Sequence, residues 1–556
     1  MMKINKIIGL SLLSSFLLLE ANPNVPSSST IDRQIQTPRD IPTLKKDEIN
    51  IEGVKSDTLK TNDSNQKVFV KNFSFLGNSK ISNDELFDVV KNYVNQELTF
   101  NQIQEVLSIV TKTYRDKGYF VARAYLGKQD LSKNDNTLEI SIVEGKYEDI
   151  KLNNSSLVNS NSLEAILNNV KSNETINVKD IERALLLIND RNGVEVSNSV
   201  IEPGNSLGTS SLSIDTIATP RADGYVVADN FGSRYTGYYR VQALANINSI
   251  ATLGDKLTVS GLISNGADLK NGKLAYEIPL NSYGLKADFA YSRTNYDLVK
   301  EYKEFNAKGN SNIYEAGLSY PLLRTTNESL YLKGKYFHKG LKDYYDSSFN
   351  LDEKRTINSF VASLDYDKNY SFFNFPAKLF ANLNFTTGHL SSKLNKLNDG
   401  SYNKVDAYIA NDIYLNDVFS LKSNLTAQKV LGNKNLNGNE DIYLGGAYGV
   451  KVYPDSEQSA ENGYMLNLEL LSNLPKIESY SHRVGVFYDM GNVYQEKNQD
   501  VTFKRKTLQD VGIGYYANYK DFFARVQMAW AINYEVSDKN EPHQHSKFLF
   551  QTGVVF

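Results

Sequence analysis

From Pro220 to the carboxyl terminus, apolar positions recur at every second residue. Tyr239, Val241, Ala243, Ala245 and Ile247 face one way, and Arg240, Gln242, Leu244, Asn246 and Asn248 the other. Leu274, Tyr276, Ile278 and Leu280 alternate with Lys273, Ala275, Glu277 and Pro279 in the same manner. A period of two marks strands that set an apolar face against a polar one. Gly254-Asp255, Asn271-Gly272 and Asn398-Asp399-Gly400 read as turns between such runs. In the final strand Phe548, Phe550, Thr552, Val554 and Phe556 share a face that suits lipid, an ending typical of bacterial outer-membrane barrels. At roughly 21 residues for each strand with its connection, residues 218–556 hold a transmembrane antiparallel β-barrel of about sixteen strands. A barrel of that size encloses a wet lumen, so its inward lysines, asparagines and serines need no catalytic explanation.

The preceding stretch is patterned differently. Lys67 to Leu76 reads as a strand, followed by a helix from about Ser82 with Leu86, Val89, Val90 and Tyr93 inward. A second helix starts near Thr99, carries Ile103, Val106, Leu107, Val110 and Tyr114 on one face, and stops at Gly118. Strands Tyr119 to Leu126 and Thr137 to Val143 complete a β-α-α-β-β unit. The order then repeats, with a strand at Ile150 to Leu152 and helices at Ser162 to Val170 and Val178 to Asp190. Gly193 ends the second of these helices, and strands Val194 to Ile201 and Ser211 to Thr216 finish the unit. The unit boundaries fall at 67–146 and 147–217, giving α+β domains ahead of the barrel.

Residues 22–66 are polar, rich in Ser, Pro, Asn and Lys, and without a sustained period, as a leader or linker would be. Ser29 or Thr30 could cap one short turn there, with Ile31 and Ile35 on a common face and Pro38 as its stop. Before it, Lys3 and Lys6 precede an apolar run from Ile7 to Leu19 that is too short to span a bilayer; residues 1–21 read as a signal peptide cleaved after Ala21. No later segment holds about 18 consecutive apolar residues, so any crossing of a membrane must use strands.

Composition narrows the chemistry. With 36 Tyr, 26 Phe, one Trp and no Cys in 556 residues, the mixture fits aromatic girdles and excludes disulfides, thiolate chemistry and a lipidated cysteine. A net charge of −3 gives no reason to expect a nucleic-acid partner. His543 and His545 form an H-x-H pair, but no Cys or third His lies nearby, so no metal is expected. No G-x-S-x-G, H-E-x-x-H or phosphate loop occurs, and neither an enzyme nor a cofactor is expected.

The paired units resemble POTRA domains, the modules that precede BamA-like barrels; "FSFLGNSKIS", "YRDKGYFVARAYL" and "LEISIVEGKYEDI" carry the resemblance in the first. The stretch "IEPGNSLGTSSLSIDT", running into "VVADNFGSRYTGYYR" and "LGDKLTVSGLIS", is similar to the start of the barrel in two-partner secretion transporters, the TpsB family. Asp229, Asn230, Gly232 and Gly237 stand in the family's order there. Further on, "YLGGAYGVKVYP", with Gly445, Gly446, Gly449, Val450, Lys451 and Tyr453, resembles the tip of the loop that folds back into the lumen, here residues 444–463. The family's arginine at this tip is replaced by Lys451. In "VFYDMGNVY", with Phe487 and Gly491, Asp489 is the inward carboxylate that the resemblance sets against it. Arginine grips a carboxylate through two parallel hydrogen bonds, whereas lysine offers a point charge on a flexible stem, so a looser tether is expected.

The resemblance implies a chain that sits in the outer membrane with its POTRA domains in the periplasm, and an unfolded exoprotein client of the TpsA type. That client, a haemolysin or adhesin for example, binds the POTRA pair, threads the lumen and folds at the cell surface. It also implies a lipid bilayer around the barrel, a terminal assembly signal at Phe556, and the barrel-assembly machinery as the partner that reads it. In many members a leader helix plugs the pore at rest; Ser29 to Pro38 is the only candidate here, and it is short for that role. The alternatives are an outer-membrane protein assembly insertase and, behind it, a passive porin.

Overall fold

The computed structural model describes residues 27–28, 31–32, 35, 51–52, 66–346, 351–394, 398–455, 457–496, 505–533 and 545–556. The expected signal peptide, residues 1–21, most of residues 22–66 and His543 lie outside these residues.

The first unit contains β1 (Lys67–Val70), β2 (Asn72–Leu76), α1 (Asn83–Val90), β3 (Gln96–Thr99), α2 (Phe100–Asp116), β4 (Arg123–Leu126) and β5 (Thr137–Val143). Both helices start where side chains satisfy their free amides. Ser82 accepts from Glu85 N at 3.3 Å, and Thr99 and Gln102 form a reciprocal capping box. Ile103, Val106, Leu107, Val110 and Tyr114 of α2 pack on Phe73, Leu138, Ile140 and Ile142 of a sheet ordered β2-β5-β4. Each fully buried aliphatic side chain of this kind is worth about 1.5–3 kcal/mol.

The first unit departs from the sequence expectation in three places. Lys67 to Leu76 is two strands rather than one, and β1 pairs with the unanticipated β3. Only Arg123–Leu126 of the predicted Tyr119–Leu126 strand is extended, because Ala122 N turns back to Tyr119 O. Val89 is exposed, since the two-turn α1 buries only Leu86 and Val90.

The second unit contains β6 (Lys146–Ser155), α3 (Ser160–Lys171), α4 (Val178–Asn189), β7 (Glu195–Pro203) and β8 (Thr209–Ile217), with the sheet ordered β6-β8-β7. Its own core runs from Val158 to Ile214 and also takes up Phe120 and Val121 from the first unit.

Sixteen antiparallel strands then close on themselves. They begin with β9 (Ala222–Asp229), β10 (Arg240–Asn248), β11 (Lys256–Ser264), β12 (Leu269–Pro279), β13 (Lys286–Asp297) and β14 (Lys308–Arg324). Next come β15 (Glu328–Tyr345), β16 (Leu351–Phe372), β17 (Phe375–Ser392), β18 (Gly400–Tyr414) and β19 (Phe419–Leu431). A long loop holding β20 (Ile442–Tyr443) and β21 (Ser459–Ala460) intervenes before β22 (Asn462–Asn473), β23 (Tyr480–Tyr494), β24 (Lys506–Tyr519), β25 (Phe522–Ala531) and β26 (Ser546–Val555). Asn271-Gly272 is not a turn: both residues sit inside β12, paired with Leu262 and Gly261, and the reversal comes at Asn265–Ala267, where Gly266 has φ +76.

Alternation sorts the two faces of the wall. Leu274, Phe289, Leu318, Phe360, Leu383 and Ile513 project outward as exposed apolar side chains, an area far too continuous for a water-facing surface. Inward positions are polar and paired. Lys273 meets Glu315 at 2.7 Å, Lys335 meets Asp288 at 2.8 Å, and Asn384 donates to Asp406 at 2.7 Å.

The closing seam is short. β26 pairs with β9 only from Gln551↔Asp229 to Val555↔Tyr225. Side chain and terminus extend it: Asn230 donates to Phe548 O and accepts from Phe550 N, both at 2.9 Å, while Gly224 and Phe556 exchange backbone hydrogen bonds of 2.9 and 3.0 Å.

The second unit is fastened under the barrel mouth. Asp190 takes two hydrogen bonds from Arg324, at 2.8 and 2.9 Å, and one from Tyr331, while Arg191 donates to Asn281 O at 2.7 Å. A cavity of about 310 Å³ separates α4 from the lumen-facing Lys286, Ser319 and Lys333.

Glu144, which follows β5, is a further structural knot. It accepts from Ser79 N and Ser79 Oγ, Lys80 N and Tyr114 Oη. Burial would raise its carboxyl, but the hydrogen bonds from Ser79, Lys80 and Tyr114 outweigh it and hold the group below the ordinary glutamate range. A depressed folded-state value gives stabilisation that is complete above the unfolded pKa of about 4.3 and is lost as pH falls through the folded value. Glu144→Gln should therefore loosen the first unit at neutral pH by about 1–3 kcal/mol, seen as faster protease cleavage within residues 67–143 of the full-length protein. The difference from wild type should shrink on acidification.

Candidate functional site

Among the described residues, two segments that are not part of the wall occupy the lumen. The first is the loop between β19 and β22. β20 and β21 pair antiparallel at its base, and the tip then doubles back, with Val450 N donating to Leu444 O at 2.7 Å and Gly449 N to Gly446 O at 2.9 Å. Gly446 has φ +108, a conformation that strains any side chain, and Gly445 N donates to Glu457 O at 3.1 Å. The tip carries its own apolar face into a polar lumen. Leu444, Val450, Val452 and Tyr453 pack on Met465, Phe487, Leu508 and Ala529 of the wall. Gly491 makes room for this, because a Cβ there would sit 2.5 Å from Leu444 Cδ2.

Lys451 projects from the tip to the wall. Its Nζ lies 2.7 Å from Asp489 Oδ2 and 4.3 Å from the centre of the Phe487 ring. Asp489 is fully buried, and its other oxygen accepts from Asn467 Nδ2 at 2.7 Å; the same amide donates to Gly449 O at 3.0 Å. A buried charge pair is costly unless its remaining hydrogen-bond capacity is met, and Asn467 meets that of the carboxylate. Asp510 Oδ2 accepts from Val452 N at 2.7 Å. At the far side Tyr453 donates to Asn533 O at 2.9 Å and accepts from Lys547 at 3.0 Å.

Asn467 and Asp510 escaped the sequence reading. Both are inward residues and are the register partners of Asp489 on its two neighbouring strands. Alternation alone marks them as inward; only the register shows that they stand beside Asp489.

The second occupant is a turn of the leader. Ile31 N donates to Ser27 O at 2.9 Å, a helical hydrogen bond, and Ile31 is fully buried among Tyr235, Leu262, Leu269 and Tyr296. Ser28 N and Oγ donate to the two oxygens of Asp343, at 2.7 and 2.9 Å, and Arg355 and Tyr296 bond the same carboxylate. Asp32 accepts from Ser311 Oγ at 2.6 Å. The helical turn thus starts at Ser27, earlier than a cap at Ser29 or Thr30, because Asp343 holds Ser28 in place; residues 29 and 30 lie outside the described residues.

The β9–β10 connection carries the junction motif. Asp229 is buried against Arg240 Nε at 2.9 Å and also accepts from Phe231 N and Gln242. Gly232 N donates to Tyr238 O at 2.9 Å, and Gly237 bridges back to Ser233. Asn230, as described, joins this connection to β26.

Residues 208–514, over half of the chain, match the family described as haemolysin secretion/activation protein ShlB/FhaC/HecB. The chain belongs to that family. Residues 68–145 match the ShlB-type POTRA domain. The heme/hemopexin transporter protein HuxB of Haemophilus influenzae (strain 86-028NP) is 27% identical over 488 residues, which cover 85% of each chain. The outer membrane transporter CdiB of Escherichia coli is 26% identical over 416 residues, 72% of this chain and 69% of that one. In fold, the chain is similar to the solved structure of CdiB from Escherichia coli, with TM-score 0.76, 22% identity and coverage of 90% and 93%. CdiB from Acinetobacter baumannii follows at TM-score 0.66 and 17% identity, covering 92% and 95%. This transporter is a TpsB-type outer-membrane protein of two-partner secretion, with a POTRA domain ahead of the pore that exports an exoprotein.

In this transporter Asp489→Ala should loosen the loop by removing the hydrogen-bonded partner of the ammonium, at a cost of about 1–3 kcal/mol because the buried Asp510 carboxyl stands beside it. Planar-bilayer conductance should rise, and protease should reach residues 444–463. Lys451→Arg keeps the ion pair and should conduct like wild type. Gly491→Val should mimic Asp489→Ala without altering charge, by displacing Leu444.

Proposed function

We propose that this transporter receives an unfolded exoprotein of the TpsA type in the periplasm, where both POTRA units lie, and passes it through the barrel to the cell surface. The observation that carries this reading is the filled lumen: loop 444–463 and the leader turn are held by side-chain contacts that a translocating chain can replace. A passive porin would gain nothing from either occupant. An assembly insertase works at a seam toward lipid and has no need of a cleared central path.

In this reading the chain is not an enzyme. The free energy of transport comes from folding of the exoprotein outside, and the pore contributes a path and a docking surface. The exoprotein, a haemolysin or adhesin for example, adds as an extended strand to an open sheet edge, where backbone hydrogen bonds give affinity without demanding sequence. In the first POTRA unit the outer side of β4 pairs with no strand among the described residues, and the exoprotein takes the place of the Thr111 hydroxyl that accepts from Ala124 N at 3.0 Å. Lipid surrounds the apolar outer wall, and the barrel-assembly machinery inserts it, reading the strand that ends at Phe556. Residues 1–21 act as the signal peptide that delivers the chain.

Deleting residues 67–146 should abolish secretion of a co-expressed exoprotein while heat-modifiable mobility on gels shows that the barrel still assembles. Unchanged export from that deletion would remove the docking role from this reading.

A further inference from the structure

The second POTRA unit presents the equivalent edge, the outer side of β7, and it is occupied. Glu52 of the leader pairs in parallel with Val200: Glu52 N donates to Ser199 O and Ile201 N donates to Glu52 O, both at 2.9 Å. Ile51 packs against the core of that unit. The available edge is short at both ends. Pro203 has no N–H to offer, and the β7–β8 register shifts between Val196 and Asn198. What remains accepts a few residues of extended chain with one apolar side chain tucked toward α3 and α4.

We propose that this β7 edge is a second docking site for an extended segment of the exoprotein, and that Ile51–Glu52 is its resting occupant, displaced when the exoprotein binds. The inference rests on the docking role given above to the POTRA units. The replacing segment runs parallel to β7 and places a β-branched residue or leucine where Ile51 sits. Two backbone hydrogen bonds and one partly buried side chain are a modest hold. Capture on the β4 edge raises the local concentration of the rest of the exoprotein enough to compete with it.

Displacement also reaches the lumen through the chain itself. Fifteen residues separate Ile35, at the seat of the leader turn, from Ile51; when the β7 contact is lost, thirty-one residues separate Ile35 from β1. The effective concentration of a tethered segment falls roughly as the −3/2 power of tether length, so the leader turn would return to its seat about threefold less often. Occupying β7 therefore biases the pore toward the unplugged state without any movement of the barrel.

The chain has no cysteine, so Glu52→Cys with Val200→Cys gives a single disulfide. Paired strands lie about 4.8 Å apart, within the Cα separation that a disulfide spans. With the pair oxidised, secretion of the co-expressed exoprotein should fall at least tenfold, and reductant should restore it. Normal secretion from the oxidised variant overturns the proposal; if deletion of residues 67–146 still abolishes export, the docking role of the first unit stands regardless. Glu52→Pro removes the N–H given to Ser199 and decides the matter if the cysteine variant stays inactive after reduction. Its open fraction in planar bilayers should rise about threefold, and an open fraction equal to wild type overturns the proposal.

Discussion

Everything in this molecule follows from one constraint: in hydrocarbon a backbone amide has no water to bond, so the sheet has to find a partner for its first strand in its last. The register of β26 against β9 supplies only a few residue pairs. The remainder comes from Asn230, which acts as a side-chain substitute for missing ladder bonds, and from the terminal Phe556, whose backbone extends the pairing to Gly224. The motif that marks the family at the start of the barrel is thus in part a fastening for its end. Arg240 and Asp229 anchor the base of that connection as a buried pair at 2.9 Å.

Closure creates an enclosed polar space, and what fills it is held by charge and by shape together. Lys451 lacks the planar fork of arginine, yet its neighbours hold it: Asp489 takes the ammonium, Asn467 takes the second oxygen, and the Phe487 face covers the cation. The apolar tip adds contacts that do not depend on which cation is present. The weaker point charge is thereby offset by neighbours rather than by its own geometry.

The architecture was legible in the sequence because alternation and helical spacing are local. The faces of β10 and β12, the buried face of α2 and the approximate strand number all follow from periods of two and 3.6. What was not legible depends on register or on distant chain. Asn271-Gly272 has the composition of a turn and lies within a strand, since the neighbouring β11 and β13 run past it on both sides. Asn467 and Asp510 are anonymous polar residues until strand pairing sets them beside Asp489. Asp343 gains meaning only from Ser28, more than three hundred positions away in the chain.

The inward ion pairs of the wall have a consequence for anything that slides past them. Lys273 with Glu315, Lys335 with Asp288 and Lys333 with Asp365 already neutralise one another across adjacent strands. A travelling polypeptide that forms a contact with one of these groups must break an existing contact of similar worth. Charge on the traveller therefore gives it little reason to stop, and the channel behaves toward acidic and basic stretches alike as a low-friction surface.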